Sequence, residues 1–252
     1  MTPRFKNKVV LITGTGGGMG REAALRFAAE GARVVGCDVK VDGNRKTVEM
    51  VRARGGDIHT MEPVDLGDPE KARAWVEEAA AIHGGIDILY NNASAARFAP
   101  IESFAPEDWQ FTMRNEVNLV FYVTRYAWTH LARKGGVILN TGSVAGIAGS
   151  GPGGAAHAAA KGAIIAFTKQ LAQEGAPHNI RAVTISPGFI ETPGTQDIAQ
   201  MPEVRDALIA RNMIKRIGSA ADVVGVALFM ASDEASFITG ANIVVDGGRV
   251  SW

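Results

Sequence analysis

Short apolar runs rich in Val, Ile and Leu alternate along the chain with segments whose apolar residues return every three or four positions. This alternation predicts a series of strand and helix pairs. The first run, Val9-Val10-Leu11-Ile12, leads through a glycine-rich stretch into an amphipathic segment over residues 21–30. Further strands are predicted at 33–38, 58–64, 86–90, 136–140, 181–186 and 242–245, and helices at 45–54, 69–83, 106–133, 154–175 and 220–231. Glycines and a proline between 146 and 154 predict a loop. Residues 189–215, broken by prolines at 193 and 202, predict an irregular substrate lid. Strand and helix alternate to the end, so one parallel sheet lies between two helix layers: an α/β, Rossmann-type doubly wound fold in a single domain over 1–252.

Composition narrows function more than fold. Hydrophobic residues make up 46% of the 252, enough to bury a large core. The 26 basic and 26 acidic residues cancel, which disfavours nucleic acid or an anionic membrane as partner and leaves a small molecule. The start Met1-Thr2-Pro3-Arg4 lacks the apolar stretch of a secretion signal, and no apolar run is long enough to span a bilayer. A cytoplasmic location is the expectation. Cys37 is the single cysteine, and the five histidines show no ligand spacing, so neither a disulfide nor a metal site is expected.

The candidate chemistry begins at Thr13-Gly14-Thr15-Gly16-Gly17-Gly18-Met19-Gly20, between the first strand and first helix. Glycines there let the backbone approach a ligand, and unpaired N–H groups at a helix start bind a pyrophosphate. Gly14, Gly17, Gly18, Met19 and Gly20 are the predicted contacts. Asp38, at the end of the second strand, can accept hydrogen bonds from ribose hydroxyls and would repel a 2′-phosphate, which selects NAD over NADP. Asp65, Asn91 and Asn92 follow strand carboxyl ends, where such sheets bind ligands.

With these pieces in order, the chain resembles the classical short-chain dehydrogenase/reductase family over nearly its whole length. The resemblance rests on TGxxxGxG at 13–20, Asp65-Leu66, Asn91-Asn92-Ala93, Val117-Asn118, the GSVAG run at 142–146, Pro187-Gly188 with Thr192, and TGANIVVDGG at 239–248. It implies that Asp65 and Leu66 contact adenine, that Asn91, Asn92 and Ala93 hold the ribose side, and that Pro187, Gly188, Ile190 and Thr192 bracket the nicotinamide. It also implies a homo-oligomer, dimer or tetramer, paired through the helices at 106–133 and 154–175. The family's catalytic Asn, Ser and Lys correspond to Asn118, Ser143 and Lys161, the lysine also gripping the nicotinamide ribose. Its tyrosine, four residues before the lysine, is replaced by His157. Two further departures are the 14-residue spacing from Ser143 to His157, one longer than the family's, and Ser94 where the family has glycine.

His157 and Lys161 are one helical turn apart and share a face. Imidazole is a competent acid–base group near neutrality. Beside Lys161 and a cationic nicotinamide it should be neutral, hence a better base than acid, which favours alcohol oxidation. It reaches roughly 2 Å less far than a phenol. Tyr90, Tyr122 and Tyr126 are the remaining tyrosines, for which burial is the expected role. Apolar Phe98, Ile147, Phe189, Ile198 and Met201 suggest a hydrophobic substrate. The predicted function is therefore NAD-dependent interconversion of a secondary alcohol and a ketone. The alternatives are an NAD(H)-using epimerisation, elimination or C=N reduction, and an inactive NAD(H)-binding sensor or partner subunit.

Overall fold

The computed structural model describes residues 3–149 and 151–251; the residues Met1-Thr2 of the start discussed above lie outside them. Seven parallel strands form one sheet in the order β3-β2-β1-β4-β5-β6-β9: β1 Val9–Thr13, β2 Arg33–Cys37, β3 Asp57–Met61, β4 Ile88–Asn91, β5 Gly136–Thr141, β6 Ile180–Pro187 and β9 Asn242–Val245. All five residues of β1 are buried, because both faces of the sheet are covered. Val10 and Ile12 join the core under helices α1 (Gly18–Ala29) and α9 (Ala220–Ala231). Val9 and Leu11 join the core under α3 (Pro69–His83), α5 (Leu119–Ala132) and α6 (Ala155–Gly175). A two-residue period thus sends alternate side chains into two separate apolar layers.

Local chemistry sets the helix ends. Asp68 caps α3 by accepting from the backbone N–H groups of Glu70 and Lys71 at 2.9 and 3.2 Å; Pro69 opens the first turn, and Gly84 closes the helix at φ 76°. Helix α2 (Val41–Arg52) begins earlier than its apolar pattern indicates. Strand β3 stops at Met61 rather than 64: Pro63 has no N–H for the ladder, and Glu62 turns back to accept from Asn44 and Arg45 at 2.9 and 2.6 Å.

Two differences bear on the site. The helix expected over 106–133 divides into α4 (Pro106–Met113), a π-helical turn Arg114–Asn118, and α5. A π turn spends an extra residue and rotates the side chains after it, and such turns are frequent at functional sites. The lid segment is more regular than expected. It holds β7 (Ile190–Glu191), paired with β8 (Gly218–Ser219), then α7 (Gln196–Ala199) and α8 (Pro202–Ala210). Pro202, read from sequence as a breaker, starts α8, where its missing N–H costs nothing. Among the described residues no helix is long and apolar enough to cross a membrane.

Candidate functional site

The strand order reverses between β1 and β4, and a cleft of about 660 Å³ opens at the carboxyl ends of these strands. Its floor is the turn from β1 into α1, with Gly14, Gly17, Gly18 and Met19 on the lining. Gly14 sits at φ 77°, which L side chains rarely adopt. Gly20 is off the lining but essential to the turn, since a Cβ there would lie 2.0 Å from the Gly14 carbonyl oxygen. The variant Gly20→Ala is expected to force the turn open, lower stability by about 1–3 kcal/mol or more, and abolish dinucleotide binding in an equilibrium titration. Binding at wild-type strength would show that the turn is not the phosphate cradle.

Asp38 crosses from the end of β2 to the same turn. One carboxylate oxygen accepts from Gly16 N at 2.7 Å, the other from Lys40 N at 2.8 Å. Asp65, Leu66, Asn92, Ala93 and Thr192 also line the cleft. The Thr13 hydroxyl holds the β4 end in place, accepting from Asn92 N and Ala93 N at 2.9 Å each. Arg114, which sequence reasoning passes over, grips Asp65 in two bonds of 3.1 and 2.7 Å. The guanidinium holds the Asp65 carboxyl below its ordinary range, against a smaller opposing effect of burial.

Several predicted contacts lie elsewhere. Asn91 is buried in the core, donating to Thr124 Oγ1 at 3.0 Å and Asn140 Oδ1 at 2.8 Å. As the last residue of β4 it directs its side chain beneath α5 rather than along the strand, so it ties sheet to helix. Gly188 approaches β9 closely, its N–H donating to Val245 O at 2.9 Å. Ile190 buries its side chain in the core under α9, and with Phe189 lines a separate cavity of about 240 Å³ on the β9 side. Pro187 is buried at the end of β6. Pro187, Gly188 and Ile190 are thus absent from the cleft lining, while Thr192 packs over Gly18, whose added Cβ would lie 3.3 Å away.

The acid–base region contains a residue that sequence reasoning missed. Glu116, inside the π turn, is 1% exposed, and its two oxygens lie 3.0 and 2.9 Å from His157 Nδ1. The Ser94 hydroxyl donates to the same carboxylate. Lys161 Nζ lies 3.6 Å from it and donates to Thr141 O at 3.0 Å. Burial, the strongest single influence on Glu116, opposes its charge, but Lys161, His157 and Ser94 together outweigh it and hold the carboxyl below its ordinary value. The expectation that His157 faces only positive neighbours is thus corrected: an anion sits on its Nδ1. The imidazole stays 20% exposed, and the Phe98 ring leans over it at 5.7 Å between centroids.

Asn118, expected in this cluster, is exposed. Two residues from Glu116 is about half a helical turn, so the two side chains leave on opposite sides. Ser143 follows β5, where its hydroxyl accepts from Ala145 N at 3.1 Å and caps a 3-10 turn. That turn packs on α6 at Lys161, for a Cβ on Gly146 would lie 2.6 Å from the Lys161 carbonyl carbon. Tyr90 is fully buried, and burial pushes its phenol up to about 12, which removes it as an acid near neutrality. Tyr122 and Tyr126 pack against the α5 side of the core.

The residues present fit a dinucleotide. Side-chain-free backbone lines the turn, a carboxylate fixed by two N–H groups lies directly beside it, and Asn92 keeps a buried Oδ1 without a partner among the described residues. Comparisons with known proteins identify the chain's relatives. Residues 14–249 match a family model described as enoyl-(acyl carrier protein) reductase. A 3-oxoacyl-[acyl-carrier-protein] reductase of Thermotoga maritima is 36% identical, covering 98% of this chain and 99% of its own. A cyclopentanol dehydrogenase of Comamonas sp. is 36% identical over 97% of this chain and 98% of its own. A solved short-chain type dehydrogenase/reductase from Mycobacterium ulcerans superposes with TM-score 0.93 at 29% identity, covering 97% and 90% of the two chains.

Proposed function

The chain belongs to the classical short-chain dehydrogenase/reductase family and is an oxidoreductase acting on CH–OH groups, and from that premise we propose NAD-dependent interconversion of a secondary alcohol and a ketone, with His157 as the proton-transfer group. The observation that carries this reading is a partly exposed imidazole on the same helix face as buried Lys161, joined through Glu116 to Ser94 on the cleft lining. NAD+ bound in the cleft would take the hydride from the carbinol carbon. From the cleft lining, Gly14, Gly17, Gly18 and Met19 would hold its phosphates, Asp38 the adenosine ribose, Asn92 and Ala93 the other ribose, and Thr192 the nicotinamide side; Lys161, beside Glu116 and off the lining, would grip that second ribose as the family resemblance implies.

His157 then receives the alcohol proton in oxidation and returns it in reduction, while Ser143 orients the substrate oxygen. Phe98, 64% exposed above the imidazole, with Ile147, Ile198 and Met201 also exposed, supports a hydrophobic substrate. Exposed Trp109 and Phe121 on α4 and α5 support a homo-oligomer. The test is incubation with NAD+ and a panel of cyclic and linear secondary alcohols, followed by NADH absorbance. Absence of NADH across the panel, or isomerised product without net NADH, would refute the reading.

NAD preference rests on Asp38. Asp38→Ser removes the charge that repels a 2′-phosphate and leaves Lys40 and Lys46 on the same lining. The ratio of kcat/KM for NAD over NADP is expected to fall at least about tenfold, the equivalent of a single contact of about 1.4 kcal/mol. A wild-type enzyme that already prefers NADP would contradict the assignment.

A further inference from the structure

Resting on His157 as the proton-transfer group, we propose that Glu116 is a positioning residue: it fixes the imidazole as the Nδ1–H tautomer, presents Nε2 to the substrate as a proton acceptor, and works as one unit with Ser94. Three residues from three separate elements meet at this carboxylate: His157 from α6, Ser94 from the loop after β4, and Glu116 itself from the π turn between α4 and α5. Two of them, His157 and Ser94, depart from the family's pattern, and the structure joins both departures through Glu116.

Valence fixes the tautomer. An ionised carboxylate only accepts hydrogen bonds. With both Glu116 oxygens within 3.0 Å of His157 Nδ1, the ring proton must lie on Nδ1. Nε2 then carries the lone pair. In oxidation the alcohol O–H bond breaks and an Nε2–H bond forms; the carbinol C–H bond breaks as its hydride passes to the oxidised nicotinamide named above. The products are ketone, reduced nicotinamide and one proton held on the ring. With the ring neutral, the charges of Glu116 and Lys161 cancel. With the proton on board the cluster carries one net positive charge, whereas without Glu116 it would carry two at close range. The anion therefore lowers the energy of the state that proton uptake creates, as a buried carboxylate does for any oriented catalytic imidazole. The ring then passes its proton to water through its exposed fraction.

A plain structural ion pair between Glu116 and Lys161 would leave the ring indifferent to Glu116, which is what the experiment separates. In Glu116→Gln the amide oxygen takes the place of Oε1, held by Ser94 and Lys161, and the NH2 group takes the place of Oε2, the oxygen nearer Nδ1 at 2.9 Å. A donor opposite Nδ1 drives the ring to the Nε2–H tautomer, which cannot accept the substrate proton. The measurement is 15N NMR of the full chain labelled at histidine, without substrate, with His157→Phe assigning the resonance. Wild type should show a protonated Nδ1 and a bare Nε2, Glu116→Gln the reverse, and Glu116→Asp the wild-type pattern. In parallel, alcohol oxidation by Glu116→Gln should fall about 10²-fold at unchanged dinucleotide affinity, and Glu116→Asp should recover part of the loss. An Nε2–H ring in wild type, or the same tautomer in wild type and Glu116→Gln, overturns the proposal. If wild type turns over no alcohol, the proposed function fails, while the NMR result still decides the role of Glu116.

Discussion

His157→Phe is expected to lower kcat/KM for alcohol oxidation by about 10³-fold, within the range that a positioned acid–base group contributes, with dinucleotide affinity retained. Phenylalanine keeps the planar ring and its packing under Phe98 but has no atom that binds a proton. It also strips Glu116 of its Nδ1–H partner. The carboxylate keeps Ser94 and Lys161, so a stability loss of about 1–3 kcal/mol from an under-satisfied buried group is expected alongside the rate loss. The two effects are separable, because the rate is read on enzyme held below its melting transition. Retention of wild-type kcat/KM would show that another group moves the proton.

His157→Tyr is the informative companion. A phenol hydroxyl reaches roughly 2 Å beyond an imidazole nitrogen, past Glu116, so it leaves the buried carboxylate short of a donor. Recovery of activity should therefore be partial, and the double variant His157→Tyr with Glu116→Gln should exceed His157→Tyr alone. Residues that share a hydrogen-bond network couple in this way rather than add.

What could be read in advance follows from range. The glycine turn and Asp38 are legible because a strand, a turn and the next strand are neighbours in sequence, and parallel pairing of β1 with β2 brings their ends together. The parallel sheet between two helix layers follows from the alternation of strand and helix patterns. Side-chain direction is harder. Asn91 stands at the expected strand end, yet its amide enters the core, and the pattern of apolar residues carries no sign of the Asn140 and Thr124 partners waiting there. The largest miss is Glu116 for Asn118. On a regular helix a charged residue beside Asn115 reads as solvated surface, and the π turn that adjusts the register leaves no compositional mark. A signal did exist: Thr112, Glu116, Val120 and Val123 recur at helical spacing and all are buried, so the acid interrupts a core-facing stripe. Ser94 is visible in the sequence as a departure from the family's pattern, but its bond to a carboxylate 22 residues away is not.

Lys161→Met is expected to destabilise the fold by about 3 kcal/mol, the scale of breaking a buried pair by removing one partner, and to lower the melting temperature by roughly 6–12 °C. Lys161 is 3% exposed, and it supplies the leading attraction that offsets the burial of Glu116. In wild type the Glu116 carboxyl lies below its ordinary 4.5, so its contribution to stability is present above that pH and lost as the medium is acidified through the lower folded value. Without the lysine the leading attraction that offsets burial is lost and the carboxyl rises from its wild-type value, so the variant gains less stability than wild type as pH climbs out of the acid range. The difference in unfolding free energy between wild type and Lys161→Met should thus be largest at neutral pH and shrink toward zero as the medium becomes acidic. Denaturant unfolding across pH checks it. A pH-independent difference would mean that the lysine stabilises through its packed methylenes, and that the charge of Glu116 is balanced by His157 and Ser94 alone.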